Sequence, residues 1–364
     1  MSFMPRLSVL LLAVCLLAGL TACGGEEEVS TPTTTTTVTT TGTVTTTTTK
    51  PTTTTTEAPK LGYNALTGLN DMATANDRPI GFVVSDENSS LTQLGLESAD
   101  LFFEAETEGG IPRILAIYSS VDRMPASIGP VRSARPHFVK IAAALDMIYC
   151  HIGGSNSGKQ AIHDLGVDDL GNAYEINSVL KNSANYSWNR SAFTKSKVLA
   201  DIKSQRYKTT ADVSSPFLFG EKPGSMTAKT VDVQISESYD MAFSYDEATG
   251  LYQKHRNSLN TPIHNTHTGG PIAVSNVIVM FDRRTVDQVE HKQDGSTMTR
   301  YNFDLDTGRG LLACGGTARE IRWKRTNSNL TFYESDGVTQ LTVAPGKTFI
   351  CLTSKTLESK TKVY

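Results

Sequence analysis

Cysteine is scarce in this chain, with 5 in 364 residues, and their placement rules out a disulfide scaffold. Cys15 lies inside an N-terminal apolar run and Cys23 directly follows it. That leaves Cys150, Cys314 and Cys351, an odd number with no metal-ligand spacing between any two. Cys150 and Cys351 sit in apolar, strand-like runs and read as buried thiols. Charge of one sign is lacking too: 34 Lys and Arg balance 37 Asp and Glu, a net charge of −3. Such a balance offers no basic surface for nucleic acid. Beyond the N-terminus no apolar run is long enough to span a bilayer, and no internal repeat is present.

The N-terminal segment opens with a single basic residue, Arg6, followed by an apolar run from Leu7 to Leu20. Such a run is short for a membrane span but suits the core of a signal peptide. It ends in Leu20-Thr21-Ala22-Cys23-Gly24, which resembles a lipobox, with Cys23 as the residue to be diacylated. Two acyl chains hold a protein stably on a membrane where one does so marginally. An acidic trio, Glu26 to Glu28, leads into a nearly pure threonine tract from Thr31 to Thr56. That tract carries too little apolar surface to offset the entropy of ordering, so a disordered stalk is expected. Residues 1–22 are therefore read as a signal peptide, and 23–60 as the lipidated Cys23 and its linker. The expected location is the outer face of the cytoplasmic membrane, with the membrane itself as one partner through Cys23.

The remainder divides by texture. Residues 61–210 alternate strand and helix patterns: strands at Pro79–Ser85, Leu101–Glu108, Arg113–Ser119 and Asp146–Ile152, helices at Phe138–Leu145 and Lys159–Leu165. From 211 to 364 the pattern is strands separated by Gly, Asn and Asp turns, among them Asn276–Asp282, Arg300–Asp304, Glu320–Lys324 and Lys347–Thr353. The expected fold is an α/β (α+β) N-terminal half followed by a mostly β C-terminal half.

Gly109-Gly110 between two strand runs predicts a two-residue hairpin turn. That register pairs Glu106 with Arg113 and Glu104 with Leu115, and it places Glu104, Glu106 and Glu108 on one face. Three neighbouring carboxylates repel one another unless an arginine or a metal sits among them; the alternative is a solvated acidic edge. Next, Ile128-Gly-Pro-Val-Arg-Ser-Ala-Arg-Pro-His137 holds Arg132 and Arg135 close together at a helix start. With Arg113 they form a candidate anion site, unless the glutamates neutralise them internally. The strand Tyr149-Cys-His-Ile152 then runs into Gly153-Gly154-Ser155, where α/β proteins tend to place ligands. In that candidate cleft, His151 could serve as acid or base and Ser155 as nucleophile or helix N-cap, with the cap reading favoured. Gly153 to Lys159 approaches a phosphate-binding loop. However, Gln160 stands where a hydroxyl must hold magnesium, and an exported chain meets little ATP, so an ATPase is rejected. His264 and His267 fall in a turn-rich stretch and read as loop histidines, with His264 a further cleft candidate.

These residues resemble the YerB-like lipoproteins, whose two halves are paired domains of unknown function. The matching stretches include Leu66-Thr-Gly-Leu69, Arg78-Pro-Ile80, Glu108-Gly-Gly-Ile-Pro-Arg113, Ile128-Gly-Pro-Val-Arg-Ser-Ala-Arg135, His151-Ile-Gly-Gly-Ser155, Asn276-Val-Ile-Val279 and Pro345-Gly-Lys-Thr348. Departure from the family pattern falls at Asn185–Arg190. The resemblance implies an envelope lipoprotein of Gram-positive-type bacteria with no settled catalytic activity. Two functional readings follow. One is a non-catalytic binding or scaffold protein for a cell-wall component or envelope protein, with no cofactor. The other is an enzyme or carrier for a phosphorylated wall intermediate, similar in texture to polyprenyl-pyrophosphate phosphotransferases. There Arg113, Arg132 and Arg135 would grip phosphate, and Glu104 and Glu106 would hold a divalent metal or act as base.

Overall fold

The computed structural model describes residues 63–70, 77–86, 93–171, 175–176, 191–211, 215–266 and 270–364. The expected leader, Cys23, the threonine tract, the segment 185–190 and His267 lie outside the described residues.

In chain order, the first half supplies β1 (Ile80–Ser85), β2 (Leu101–Glu106), β3 (Pro112–Tyr118), α1 (Pro136–Ala144), β4 (Ile148–Cys150), α2 (Asn156–Leu165), β5 (Asp169–Leu170) and α3 (Lys195–Gln205). The second half begins with β6 (Met226–Thr227), β7 (Thr230–Gln234), β8 (Asp240–Asp246), β9 (Leu251–Lys254) and β10 (Ala273–Val274). It continues through β11 (Asn276–Asp282), β12 (Arg284–His291), β13 (Thr297–Phe303), β14 (Thr307–Cys314), β15 (Thr317–Thr326), β16 (Asn329–Glu334), β17 (Thr348–Ser354) and β18 (Lys362–Val363). The α/β-then-β division read from the sequence holds, and strands dominate.

Eleven strands make a central sheet in the order β6-β15-β14-β11-β17-β2-β3-β1-β4-β5, with β16 added on β15. The two halves share this sheet through β17, which runs parallel to β11 on one side and to β2 on the other. Contacts accordingly make Glu57–Tyr364 one compact unit. β1, β2, β3, β11 and β17 are buried along their whole length, because the sheet is covered on both faces. One face carries a second, five-stranded sheet, β10-β9-β8-β7-β18. Val231, Met241, Phe243 and Tyr252 of that sheet pack on Phe102, Ile114, Phe349 and Cys351, with the Phe243 and Phe349 rings 5.2 Å apart. The other face is covered by α1, whose Phe138, Val139, Ile141 and Ala142 meet Phe103, Leu115, Ile117 and Ile350. Each such side chain, fully buried, stabilises the fold by roughly 1.5–3 kcal/mol.

Local signals explain the helix boundaries. α1 starts where Arg135 is extended and Pro136 supplies a preset φ at the first helical position. α2 starts at Ser155, whose side chain accepts from Gly158 N, and stops at Gly166 in the left-handed conformation. Gly158 itself permits a close approach, since a Cβ there would lie 2.8 Å from the Ala134 carbonyl oxygen.

The hairpin departs from expectation in one respect that matters. Gly109 and Gly110 turn the chain with φ of 61° and 82°, as their residue type predicts. However, Thr107 N donates to Ile111 O at 2.9 Å while Ile111 N donates to Glu108 O at 3.1 Å. Two residues thus oppose one, a β-bulge, and the register slips by one. Glu106 faces Pro112, Ala105 faces Arg113 and Glu104 faces Ile114. A one-residue slip moves side chains to the other face. Glu104 and Glu106 point towards the five-stranded sheet, whereas Arg113 points towards α1 and Glu108 joins it there. The three glutamates therefore do not share a face.

Candidate functional site

β1, β4 and β5 run parallel, and the chain between Gly129 and Arg135 crosses their carboxyl ends. Arg132 N donates to Val83 O at 2.7 Å, Ile152 N to Arg132 O at 2.9 Å, and Ala134 N to Gly153 O at 3.1 Å. Gly129-Pro130 within this segment is a cis peptide. Threaded between β1 and the turn after β4, the segment fixes Arg135 at the start of α1 beside the start of α2. A third wall comes from the second half, where β13 clasps the hairpin tip: Gly109 N donates to Thr299 O and Tyr301 N to Thr107 O, both at 2.9 Å. The resulting cleft of about 290 Å³ is lined by Ser133, Arg135, Gly154, Ser155, Asn156, Gln288 and Arg300. It lies at the amino end of a ten-residue helix, where the dipole and free amides favour anions.

Behind the cleft, Glu108 takes both arginines. Its Oε2 accepts from Arg135 Nε at 2.9 Å and Nη2 at 2.6 Å, a two-pronged pairing, and its Oε1 accepts from Arg113. Burial works to raise the Glu108 carboxyl, but the charges of Arg113 and Arg135 outweigh it and hold the group below its ordinary range. Arg113 also donates to Ser133 O at 3.0 Å, and Arg135 to Ala134 O at 2.7 Å. Arg132, though buried, is not among the cleft's lining residues. Of the three predicted arginines, then, the structure brings Arg113 and Arg135 onto one carboxylate, and it adds Arg300 at the cleft wall. Arg300 donates to Gln288 Oε1 and Glu290 Oε2, each at 2.7 Å. Sequence reading missed it because it belongs to a hairpin almost two hundred residues downstream.

The remaining cleft candidates have structural partners. His151 places Nδ1 2.6 Å from Gly153 O and Nε2 2.9 Å from Asp169 Oδ2. Ser155 Oγ accepts from Gly158 N at 3.0 Å and sits 2.9 Å from Ser157 Oγ, which fulfils the N-cap reading. Among the described residues no hydrogen bond joins His151 to Ser155.

His264 is not brought to this cleft. It lies on the opposite face of the central sheet in a second polar cluster, with Asp86, Gln93, Glu104 and Lys254. Lys254 shares the inward parity of Tyr252 on β9 and is completely buried, as is His264. Lys254 Nζ stands 3.1 Å from Asp86 Oδ2, 3.5 Å from Glu104 Oε2 and 3.4 Å from His264 Nδ1. His264 Nε2 hydrogen-bonds Gln93 Oε1, so the ring carries its proton on Nε2 and accepts on Nδ1. Gln93 donates in turn to Asp86 Oδ1 at 3.0 Å and Ser85 O at 2.7 Å. Burial holds His264 down at about 3, and hence neutral. The Glu104 carboxyl is pushed well above its ordinary range, chiefly by burial and further by Asp86, against the pull of Lys254. Burial would raise Asp86 as well, but Lys254 and its other neighbours bring it well below. The ammonium of Lys254 thus stands beside Glu104, which under the second reading would hold a metal or act as base. Glu106, the other expected ligand, accepts from Arg284 Nη1 at 2.5 Å. Burial pushes Glu106 up to about 7 against Arg284, whose guanidinium Glu237 shares.

Fold and site together define a two-part chain in which an α/β half and a β half complete one sheet around a polar cleft. Two family models match it in tandem: "Protein of unknown function (DUF3048) N-terminal domain" over residues 66–209, and the corresponding C-terminal domain over residues 231–350. The chain belongs to this family, as the resemblance read from its motifs implied. It is 30% identical over 294 residues to "Putative lipoprotein YerB" of Bacillus subtilis (strain 168), covering 78% of this chain and 84% of the relative. The crystal structure of the Bacillus subtilis YerB protein superposes with a TM-score of 0.68 at 25% identity, covering 82% of this chain and 98% of the other.

Proposed function

We propose that the chain is a membrane-anchored, extracytoplasmic lipoprotein whose folded part is a binding or scaffold protein of the cell envelope, without catalytic activity. Anchoring rests on the lipobox-like Leu20-Thr-Ala-Cys23 and on the likeness to the putative lipoprotein YerB of Bacillus subtilis. The observation that carries the non-catalytic reading is the engagement of each candidate reactive group. Glu108 is held by two arginines, His151 by Asp169, and Ser155 by the first turn of α2. Catalysis asks for a base in reach of a nucleophile, and these groups are turned instead to fixing the walls of the cleft. What the cleft offers a ligand is guanidinium, hydroxyl and amide donors, suited to an anionic, hydroxyl-rich wall component.

The second reading, a carrier for a phosphorylated wall intermediate, draws on the same cleft: Arg135 and Arg300 flank the amino end of α2. One experiment separates the two. Thermal melting of the chain is recorded with muropeptides, with soluble pyrophosphate and with inorganic phosphate, for the native protein and for Arg300→Gln. A ligand at a hundred times its dissociation constant adds about 2.7 kcal/mol. In a domain this size 1 kcal/mol moves the midpoint by roughly 2–4 °C, so the shift is readily measured. A rise with muropeptides that Arg300→Gln abolishes supports the wall-binding scaffold. A rise confined to pyrophosphate replaces it with the carrier, and turnover of a pyrophosphate substrate refutes the non-catalytic reading.

A further inference from the structure

The Lys254 cluster is sealed between the two sheets and takes no part in the cleft, yet its geometry is that of a reaction. Lys254 Nζ is 3.1 Å from Asp86 Oδ2, one bond from the Asp86 carboxyl carbon. Glu104 Oε2 is 3.5 Å from the same nitrogen. All three side chains are buried, with exposures of 0% for Lys254, 9% for Asp86 and 2% for Glu104. The Phe349 ring lies 5.8 Å from Nζ and helps exclude water. Glu104 Oε2 is buried and meets no closer polar partner than Lys254, and the Glu104 carboxyl hydrogen-bonds that of Asp86.

We propose that Lys254 and Asp86 condense after folding into an intramolecular isopeptide bond, with Glu104 carrying the protons. The cross-link joins β9 of the second half to the end of β1 in the first, across 168 positions of sequence. The reactants are the Lys254 ammonium and the Asp86 carboxylate. A proton first passes from Nζ to the Asp86 carboxylate through Glu104, leaving a neutral amine and a neutral acid. The Nζ lone pair then attacks the Asp86 carboxyl carbon and the Nζ–C bond forms. A second proton moves from Nζ through Glu104 to the departing hydroxyl, the C–O bond breaks and one water leaves. Glu104 ends as it began, and no oxidant or other reagent is consumed.

Three physical arguments favour the step. The two groups are already in contact, and well-oriented intramolecular reactions reach effective concentrations on the order of 10⁵–10⁸ M. The ion pair is buried, where keeping two charges out of water is costly, and condensation replaces both charges with a neutral amide. Burial favours the protonated form of Glu104, so the carrier has a proton to give, and its Oε2 becomes an acceptor for the new amide N–H. His264 Nδ1, 3.4 Å from Nζ, and Gln93, donating to Asp86 Oδ1, orient the two partners.

The test is the mass of the purified full chain after denaturation and trypsin digestion. Cleavage yields a fragment of residues 61–113, because trypsin spares the Arg78-Pro79 bond, and a fragment of residues 230–256 when Lys254 is blocked. The expected product is these two fragments joined, lighter than their sum by the mass of one water, with free 230–254 absent. Glu104→Gln and Asp86→Ala are expected to release 230–254 as a separate peptide, with circular dichroism recording whether each variant folds. The native protein decides the matter even if both variants unfold. Separate fragments of full mass from the native chain overturn the proposal. So does a loss of water that maps to a succinimide within one fragment. A Glu104→Gln protein that folds and still cross-links removes Glu104 from the reaction.

Discussion

Two ionic clusters lie back to back on the strand and bulge formed by residues 101–108, and they solve opposite problems. On the α1 side, one carboxylate, Glu108, serves two guanidiniums, leaving an excess of positive charge that borders an open cleft. On the side of the five-stranded sheet, Asp86 and the Glu104 carboxyl flank one lysine, Lys254, in a buried space. The first cluster borders an open cleft, whereas the second is buried between the two sheets. The same bulge that separates Glu108 from Glu104 thus separates a surface able to greet a ligand from an internal seam.

The contrast is broken most directly at Lys254. Lys254→Met leaves the buried Asp86 carboxylate without its cation and removes the proposed cross-link; breaking a buried pair alone costs about 3–5 kcal/mol, and urea midpoints give the measurement. Glu108→Gln is expected to cost less, about 1.5–3 kcal/mol, the worth of hydrogen bonds to charged groups, and added sulfate should restore part of it. If the Glu108 variant loses as much as the Lys254 variant, or sulfate restores nothing, the cleft side is as closed as the seam.

Acid titration sharpens the comparison further. Folding raises the Glu106 carboxyl from 4.5 to about 7. Its contribution to stability is therefore complete below 4.5 and lost as pH climbs through about 7. Glu108 is depressed, so its contribution is present above the ordinary carboxylate value and lost as pH falls through the lower folded value. Glu106→Gln should flatten the neutral limb of a stability–pH curve and Glu108→Gln the acid limb; a single variant that flattens both would show the faces to be coupled. The smallest effect is expected at Ser155, where loss of the N-cap in Ser155→Ala costs about 1 kcal/mol and weakens cleft binding less than Arg300→Gln does. Abolished binding in a folded Ser155→Ala protein would return the hydroxyl to the ligand.

Much of the frame was legible because it rests on local signals. The strand Asn276–Asp282 was read with its observed bounds, Ser155 was read as a helix N-cap, and Gly109-Gly110 marked a turn. The bulge was not legible: residue type announces a hairpin, but the hydrogen bond from Thr107 N to Ile111 O that sets the register leaves no separate trace. Pairing of the arginines with a hairpin glutamate was foreseen as one alternative, since the partners are close in sequence. Lys254, Asp86 and Arg284 were missed because each meets its partner only when distant strands stack, and a lysine following Tyr252 at inward parity reads as an ordinary strand residue. His264 was assigned to the cleft for the same reason, because the sequence does not say which face of the sheet a late loop will reach.

β17 carries a consequence for the timing of assembly. It lies between β11 and β2, parallel to both, and follows every other strand of the central sheet in chain order. A chain emerging amino end first therefore presents both neighbours of this strand long before the strand itself exists. Until Thr348–Ser354 arrives, each half keeps an unpaired edge facing the other, of the kind that recruits stray strands. Long-range parallel pairing of this sort forms slowly, so closure of the central sheet waits on the last of its strands.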